Sequence, residues 1–223
     1  MAPLLAYWDI RGLAQPIRLL LEYTNTKFTD KYYVCGEAPG YDKSCWFDVK
    51  STLGFDFPNL PYYTDGDLKL TESGAIIRHI ARKHDLCGKT EEERCRVDML
   101  AYIIESFRST FVRLCYGQGF DEAKLNYLEG LDAKLKSFVD FLGDRKWFAG
   151  DDITYPDFIV FEIFDQHLIM ESDCLKKFPT LEQFHQRFLE LPAIKAYLAS
   201  PRCITKRLNN RMANFGSGVE EEK

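Results

Sequence analysis

Apolar residues are spaced differently on the two sides of a boundary near Lys83 to Lys89. Before it, short apolar runs alternate with one-sided helical stretches; after it, apolar positions recur at helical intervals almost throughout. Leu4-Leu5-Ala6-Tyr7 predicts a buried strand, and Gln15-Pro16 opens a helix carrying Ile17, Leu20, Leu21 and Tyr23, with proline in its first turn. Residues 27–34 predict a second strand. Pro61-Tyr62-Tyr63-Thr64 then meets Asp65-Gly66, a strong hairpin signal, and Asp67-Leu68-Lys69-Leu70 returns as its partner. A helix beginning near Ser73 presents Ile76, Ile77, Ile80 and Ala81 on one face.

That order, β-α-β, an irregular link, then β-β-α, predicts an α/β thioredoxin-like domain over residues 1–84, followed by a linker at 85–90. Residues 91–205 read as an all-α bundle. Thr90 with Glu93 forms a capping box, and Val97, Leu100, Ile104, Phe107, Phe111 and Leu114 line one side of a helix running to about Tyr116. Further helices are predicted near 121–142, 155–170, 179–189 and 192–200. The third-last of these four, at 155–170, is introduced by Thr154 and Asp157 with an Ile153 to Phe158 hydrophobic staple. Residues 206–223 read as a tail that frays from Gly216 onward.

Composition narrows the functions that such a chain can serve. With 46% hydrophobic residues it fills two cores, and a formal charge of -5 with scattered Lys and Arg argues against a nucleic-acid partner. No eighteen-residue apolar run and no basic, apolar leader is present, so a cytoplasmic protein without membrane attachment is expected. Seven cysteines without a C-x-x-C pair read as reduced thiols, and four histidines without ligand spacing predict no metal site.

The chemistry is expected at the end of the first strand. A dithiol exchange protein of this fold carries its cysteines there; this chain has Tyr7-Trp8-Asp9-Ile10-Arg11-Gly12-Leu13, without a thiol. A hydroxyl in that place suits the holding of a substrate thiolate. The stretches YWDIRGLAQPIRLLLEY, FPNLPYYTDGDLKLTESGAIIRHIARKH and WFAGDDITYPDF resemble the signature segments of glutathione transferases, in particular the mu class, and the similarity extends from about residue 4 to 205. Cys35 to Trp46 resembles the long loop that marks that class.

The resemblance implies the site. Tyr7 corresponds to the hydroxyl that hydrogen-bonds the glutathione sulfur, with Trp8 and Leu13 lining the pocket. Trp46 and Lys50, with Lys43 as a helper, match the groups aimed at the glycyl carboxylate. Asn59-Leu60-Pro61 matches a turn with a cis proline that leaves the Leu60 backbone to pair with the cysteinyl backbone. Ser73 matches the anion site for the γ-glutamyl carboxylate. Tyr116 matches a second tyrosine that polarises the electrophile, and Leu13, Cys35 and Phe111, with the Tyr7 and Trp8 rings, are expected around that apolar substrate. No cofactor is expected to be held permanently; reduced glutathione is the co-substrate.

A homodimer is implied as well, with Phe57 as the aromatic key entering the partner and Arg78 and Asp98 near the twofold. The chain departs from the mu pattern at two places. Glu72 stands where Gln is usual, and Ser106 stands where an Asp normally reaches the partner's site, so Glu72 is expected to supply the carboxylate for the γ-glutamyl ammonium, with Glu105 as competitor. The expected activity is conjugation of glutathione to small hydrophobic electrophiles. A non-catalytic ligand carrier and a glutathione-dependent lipid or prostaglandin isomerase are the alternatives, and a redox protein is disfavoured.

Overall fold

A computed structural model describes residues 2–219. They divide into two compact units, 2–80 with 197–219, and Ala81–Ala196. The helical unit therefore ends before Tyr197, where the sequence reading carries it to 205, and the described part of 206–223 belongs to the first unit instead of forming a tail.

The first unit holds β1 (Leu4–Trp8), α1 (Gln15–Tyr23), β2 (Thr29–Tyr33), α2 (Ser44–Phe47), a 3-10 turn (Lys50–Thr52), β3 (Tyr62–Asp65) and β4 (Leu68–Thr71), and α3 (Ser73–Lys83) runs on from β4 across the division. The strand order is β2-β1-β3-β4, with β1 parallel to β2 and antiparallel to β3. A parallel pair needs a crossover, and α1 supplies it. Its buried Ile17, Leu19, Leu20 and Leu21, with Leu5, Ile76, Ile77 and Ile80, form the core of this unit. The hairpin closes one residue later than the sequence predicts. Asp65 pairs with Leu68, so the loop residues are Gly66 and Asp67, and Gly66 takes the left-handed φ of 61° that such a turn requires.

One charged residue lies inside this core. Arg18 is fully buried; its Nε meets Asp30 Oδ2 at 2.7 Å and its Nη1 donates to the Ile10 carbonyl at 2.9 Å. The same carboxylate oxygen accepts from Tyr32 Oη at 2.6 Å. Removing one partner of such a pair leaves a buried charge uncompensated and typically costs about 3–5 kcal/mol. The contact to Ile10 also ties α1 to the turn that follows β1.

The second unit contains α4 (Glu91–Tyr116), α5 (Phe120–Leu142), α6 (Tyr155–Met170) and α7 (Pro179–Leu189), while α8 (Pro192–Leu198) runs across the second division. Both expected capping boxes are present. Glu93 N donates to Thr90 Oγ1 at 3.1 Å, and Thr90 N donates back to Glu93 Oε2 at 3.1 Å. Asp157 is fully buried, accepting from Phe148 N, Thr154 N and Thr154 Oγ1 at 2.8 to 3.0 Å. Burial pushes its carboxyl up to about 6 against the pull of those donors. Tyr155 N donates to the Leu86 carbonyl at 2.9 Å, which fixes the start of α6 against the 85–90 segment within the same unit.

Candidate active site

Tyr7 lies in β1 opposite Tyr32, only 7% exposed. The chain then turns through Asp9–Leu13 into α1, and Gly12 adopts a φ of 40° there. A Cβ on Gly12 would lie 2.7 Å from Tyr7 Cε1 and 2.9 Å from Tyr7 Oη. The turn thus passes directly against the phenol, at a distance only glycine permits. Sequence reading missed this residue, although a glycine between a strand and a helix is a signal for close backbone approach.

A second element missed by sequence holds that turn. The segment after Ile204 returns along it, with Arg11 N donating to the Arg207 carbonyl at 2.8 Å and Gly12 N to the Leu208 carbonyl at 3.1 Å. Arg207 also bridges Asp9, its Nε donating to the carbonyl at 2.9 Å and its Nη2 to the carboxylate at 2.8 Å. Leu208 is buried, and the chain folds back over it: Asn209 N donates to the Gly216 carbonyl at 2.8 Å, and Asn209 Nδ2 to Phe215 O at 3.0 Å. Gly216, where fraying is expected to begin, is itself held, since its φ of 69° lets the backbone close on Leu208, whereas Gly218 and Val219 are exposed. Residues 220–223 of that tail lie outside the described residues.

Other expected site residues gather around an aromatic cluster. Tyr33 meets Trp8, Trp46 and Tyr62 at ring distances of 6.5, 5.3 and 6.4 Å, and Trp46 stacks on Tyr62 at 6.1 Å. Lys50 Nζ lies 6.0 Å from the Trp46 ring. Trp46 and Lys50 do not share one helix: Trp46 is in α2 and Lys50 begins the 3-10 turn, with the Trp46 ring buried rather than on the surface. Lys43 is half-buried at the start of α2. Leu13 is half-buried in the turn after β1.

Leu60-Pro61 is a cis peptide. The Leu60 N–H donates to Asn59 Oδ1 at 2.9 Å, so the donor expected to be open to a substrate backbone is met locally. Asn59 Nδ2 donates in turn to Glu72 Oε1 at 3.3 Å. The Glu72 carbonyl accepts from Ala75 N and Ile76 N, so Glu72 and not Ser73 occupies the capping position of α3. Ser73 is the first helical residue, half-buried, where backbone N–H groups point out of the helix end. Glu72 itself is exposed, with a left-handed φ of 67° that glutamate rarely adopts.

The residues expected around the electrophile differ in their surroundings within their own units. Phe111 is fully buried inside the helical unit, its ring 4.4 Å from that of His167 and 6.2 Å from that of Tyr127, so it is a core residue and not a pocket wall. Cys35 is buried as well; its Sγ contacts the Tyr41 carbonyl at 3.7 Å, and burial pushes the thiol up while Lys43 pulls it down. Tyr116, ending α4, stays 37% exposed. Phe57 is 79% exposed, Asp98 is exposed and Arg78 half-buried. Among the described residues no cluster of His, Cys, Asp or Glu fit for a metal ion occurs, and no helix is long and apolar enough to cross a membrane.

Comparison with known proteins agrees with this arrangement on both sides of the division. The family described as glutathione S-transferase, N-terminal domain, matches residues 3–82, and the glutathione S-transferase C-terminal domain matches residues 105–201. Glutathione S-transferase Mu 5 of Rattus norvegicus is 52% identical over 213 residues, covering 96% of this chain and 95% of its own. Glutathione S-transferase Mu 3 of Homo sapiens is 51% identical with the same coverage. Among solved structures, the glutathione S-transferase Blo t 8 is similar with a TM-score of 0.88 at 32% identity, over 96% of this chain and 99% of that one. Rat hPGDS complexed with a quinoline follows at 0.74 and 26% identity, over 91% and 100%. A tyrosine at the end of β1 with no dithiol following it, an α/β unit and a helical unit that each match, and relatives about half identical over nearly the whole length place the chain in the glutathione S-transferase family, in its mu class.

Proposed function

We propose that this enzyme ionises the thiol of reduced glutathione beside Tyr7 and adds the thiolate to small hydrophobic electrophiles. The observation that carries the reading is the Tyr7 hydroxyl set against the Gly12 turn, at the strand end where this fold does its sulfur chemistry. A thiol of pKa about 8.5 is only a few per cent thiolate at pH 7. Lowering that value by about two units takes roughly 2.7 kcal/mol of preference for the anion. One charge-assisted hydrogen bond from a neutral phenol contributes about 1.5–3 kcal/mol. The N-terminus of α1, whose cap residue Ala14 offers no side-chain acceptor, adds about 0.3–1 kcal/mol. The thiol proton passes to solvent, the sulfur forms a bond to the electrophilic carbon, and a leaving group such as chloride departs with the electron pair of its bond.

Binding is assigned to the surrounding groups. Trp46, Lys50 and Lys43 take the glycyl carboxylate; Asn59, Leu60 and Pro61 border the cysteinyl backbone; Ser73 and the first N–H groups of α3 take the γ-glutamyl carboxylate, and Glu72 its ammonium. Trp8 and Leu13 flank the sulfur, and Tyr116 serves the electrophile. The enzyme works as a cytoplasmic homodimer, with Phe57 seated in the partner and Arg78 and Asp98 near the twofold. The exposure of Phe57 to 79% leaves its ring available to a partner. Retention on immobilised glutathione followed by turnover of a chloro-dinitrobenzene tests the whole reading. Retention with turnover of a lipid endoperoxide alone would replace conjugation by isomerisation, and failure in both assays would leave a carrier.

A further inference from the structure

The Arg207 to Asp9 pair is half exposed on both sides, with side-chain exposures of 46% and 29%. An ion pair in such surroundings adds little to stability. Its place in the chain is more telling. Arg207 reaches both the carbonyl and the carboxylate of Asp9, and the carbonyls of Arg207 and Leu208 take the N–H groups of Arg11 and Gly12. Four hydrogen bonds thus join two consecutive residues of the C-terminal return to the turn after Tyr7. Gly12 is the residue that passes against Tyr7 Oη. Leu208 is anchored beneath the 209–216 loop, so the return can act as a fixed rail and not as a loose end.

We propose that Arg207 is a positioning residue for the thiolate site. By bracing the Asp9–Gly12 turn, it fixes where Gly12 presses on the Tyr7 phenol and therefore where the hydroxyl meets the glutathione sulfur. This inference rests on the reading of Tyr7 as the thiolate's donor. A hydrogen bond to an anion weakens steeply with misalignment, so a loosened turn lowers thiolate formation before it lowers the binding of the rest of the tripeptide. A fork of donors suits this use better than a single ammonium, because it spans two acceptors in fixed geometry.

The test is the ionisation of bound glutathione, followed by the ultraviolet absorbance of the thiolate against pH, together with kcat and KM. Arg207→Ala is expected to raise the thiol pKa by about half to one unit and to lower kcat/KM at pH 6.5 about three- to tenfold, with activity recovering at alkaline pH and KM for glutathione changing less than about twofold. Arg207→Lys, which keeps the charge and loses the fork, should behave like Arg207→Ala. Full recovery by lysine would make the effect one of charge and overturn positioning, as would a loss uniform across pH or an unmoved thiol pKa in a folded variant. Should Arg207→Ala not fold, Asp9→Asn removes only the ionic arm and should shift the thiol pKa in the same direction by less; no shift there overturns the proposal. Tyr7→Phe measured alongside separates the two readings. If it leaves the thiol pKa unchanged, the donor role of Tyr7 fails; if it raises it while Arg207→Ala does not, only the role of Arg207 fails.

Discussion

Gly12 and Tyr7 stand so close that a methyl group on the first would come within 2.9 Å of the hydroxyl of the second. The φ of 40° at Gly12 is itself unfavourable for a residue with a Cβ. Gly12→Ala therefore combines backbone strain with displacement of the phenol. Expected results are a loss of about 1–3 kcal/mol in stability and a fall of at least about tenfold in kcat at pH 6.5. Urea denaturation and steady-state kinetics check both; wild-type kinetics would mean that the phenol tolerates displacement.

Tyr7→Phe removes the proposed donor and leaves the ring that packs in the strand. Loss of one charge-assisted hydrogen bond of about 1.5–3 kcal/mol corresponds to a turnover lower by about one to two orders at pH 7. The deficit should shrink as pH rises past the thiol's own pKa, because solvent hydroxide then does the ionising. A pH profile of the same shape as wild type would show that Tyr7 acts on something other than the thiol.

Much of this architecture was legible because period and punctuation agreed. The apolar stripe Val97, Leu100, Ile104, Phe107, Phe111 and Leu114 is buried along α4, and Thr90 and Thr154 cap as their spacing requires. The same stripe misled at Phe111, since one sequence position cannot say whether a buried ring faces a ligand or another ring. Period was absent where the structure surprised. Residues 44–52 make two short turns of helix that no repeat announces, and 204–219 fold without regular structure, held by backbone bonds from Arg11, Gly12 and Asn209. Non-local pairing of irregular backbone leaves no local trace, which is why the support of the Tyr7 turn was invisible.

The helical unit carries its own pH dependence at His167. Nδ1 faces the Ile163 carbonyl at 2.6 Å, so it must donate, and Nε2 accepts from Tyr127 Oη at 2.7 Å. The contact from Tyr127 requires a neutral ring with Nε2 unprotonated; the Ile163 carbonyl favours the charged form, but burial outweighs it and holds the pKa down at about 4. The unfolded chain takes up a proton from about pH 6.5 downward while the folded one does not, so this contribution is intact above 6.5 and is lost as pH falls toward 4. His167→Phe is expected to be less stable at pH 7 through the two lost hydrogen bonds. Between pH 7 and pH 5 its deficit should narrow by about 2 kcal/mol, read from urea midpoints. A constant deficit would place the protonated ring inside the fold.

Phe57→Ser should yield monomers. Fully burying a phenylalanine contributes about 1.5–3 kcal/mol, and a C2 interface gains that contribution twice. The variant is expected to sediment as a single chain and to bind glutathione more weakly. An unchanged dimer would move the contact elsewhere, with the exposed Met99, Tyr102 and Ile103 of α4 the next apolar candidates.

Glu72 and Glu105 are the two candidates proposed for the γ-glutamyl ammonium, and their surroundings differ. Glu105 is already neutralised within its helix, where Arg108 Nη2 and Nε meet its two oxygens at 2.6 and 3.2 Å. Glu72 forms no ion pair among the described residues and accepts from the neutral amide of Asn59. It also keeps a φ of 67°, a conformation that costs of order 1–3 kcal/mol in a residue other than glycine. Strain retained by a carboxylate beside Ser73 is what a binding role would tolerate and a merely decorative residue would not need. Glu72→Ala should therefore raise KM for glutathione at least about tenfold with a smaller change in kcat, since binding is lost equally in ground and transition states. Glu72→Gly relieves the backbone and should gain about 1 kcal/mol in stability while losing the same affinity, which separates the carboxylate from the conformation. Glu105→Ala should leave that KM within about twofold. If the phenotypes of Glu72 and Glu105 are exchanged, the ammonium is met by a carboxylate from α4 and the in-chain compensation for Ser106 is wrong.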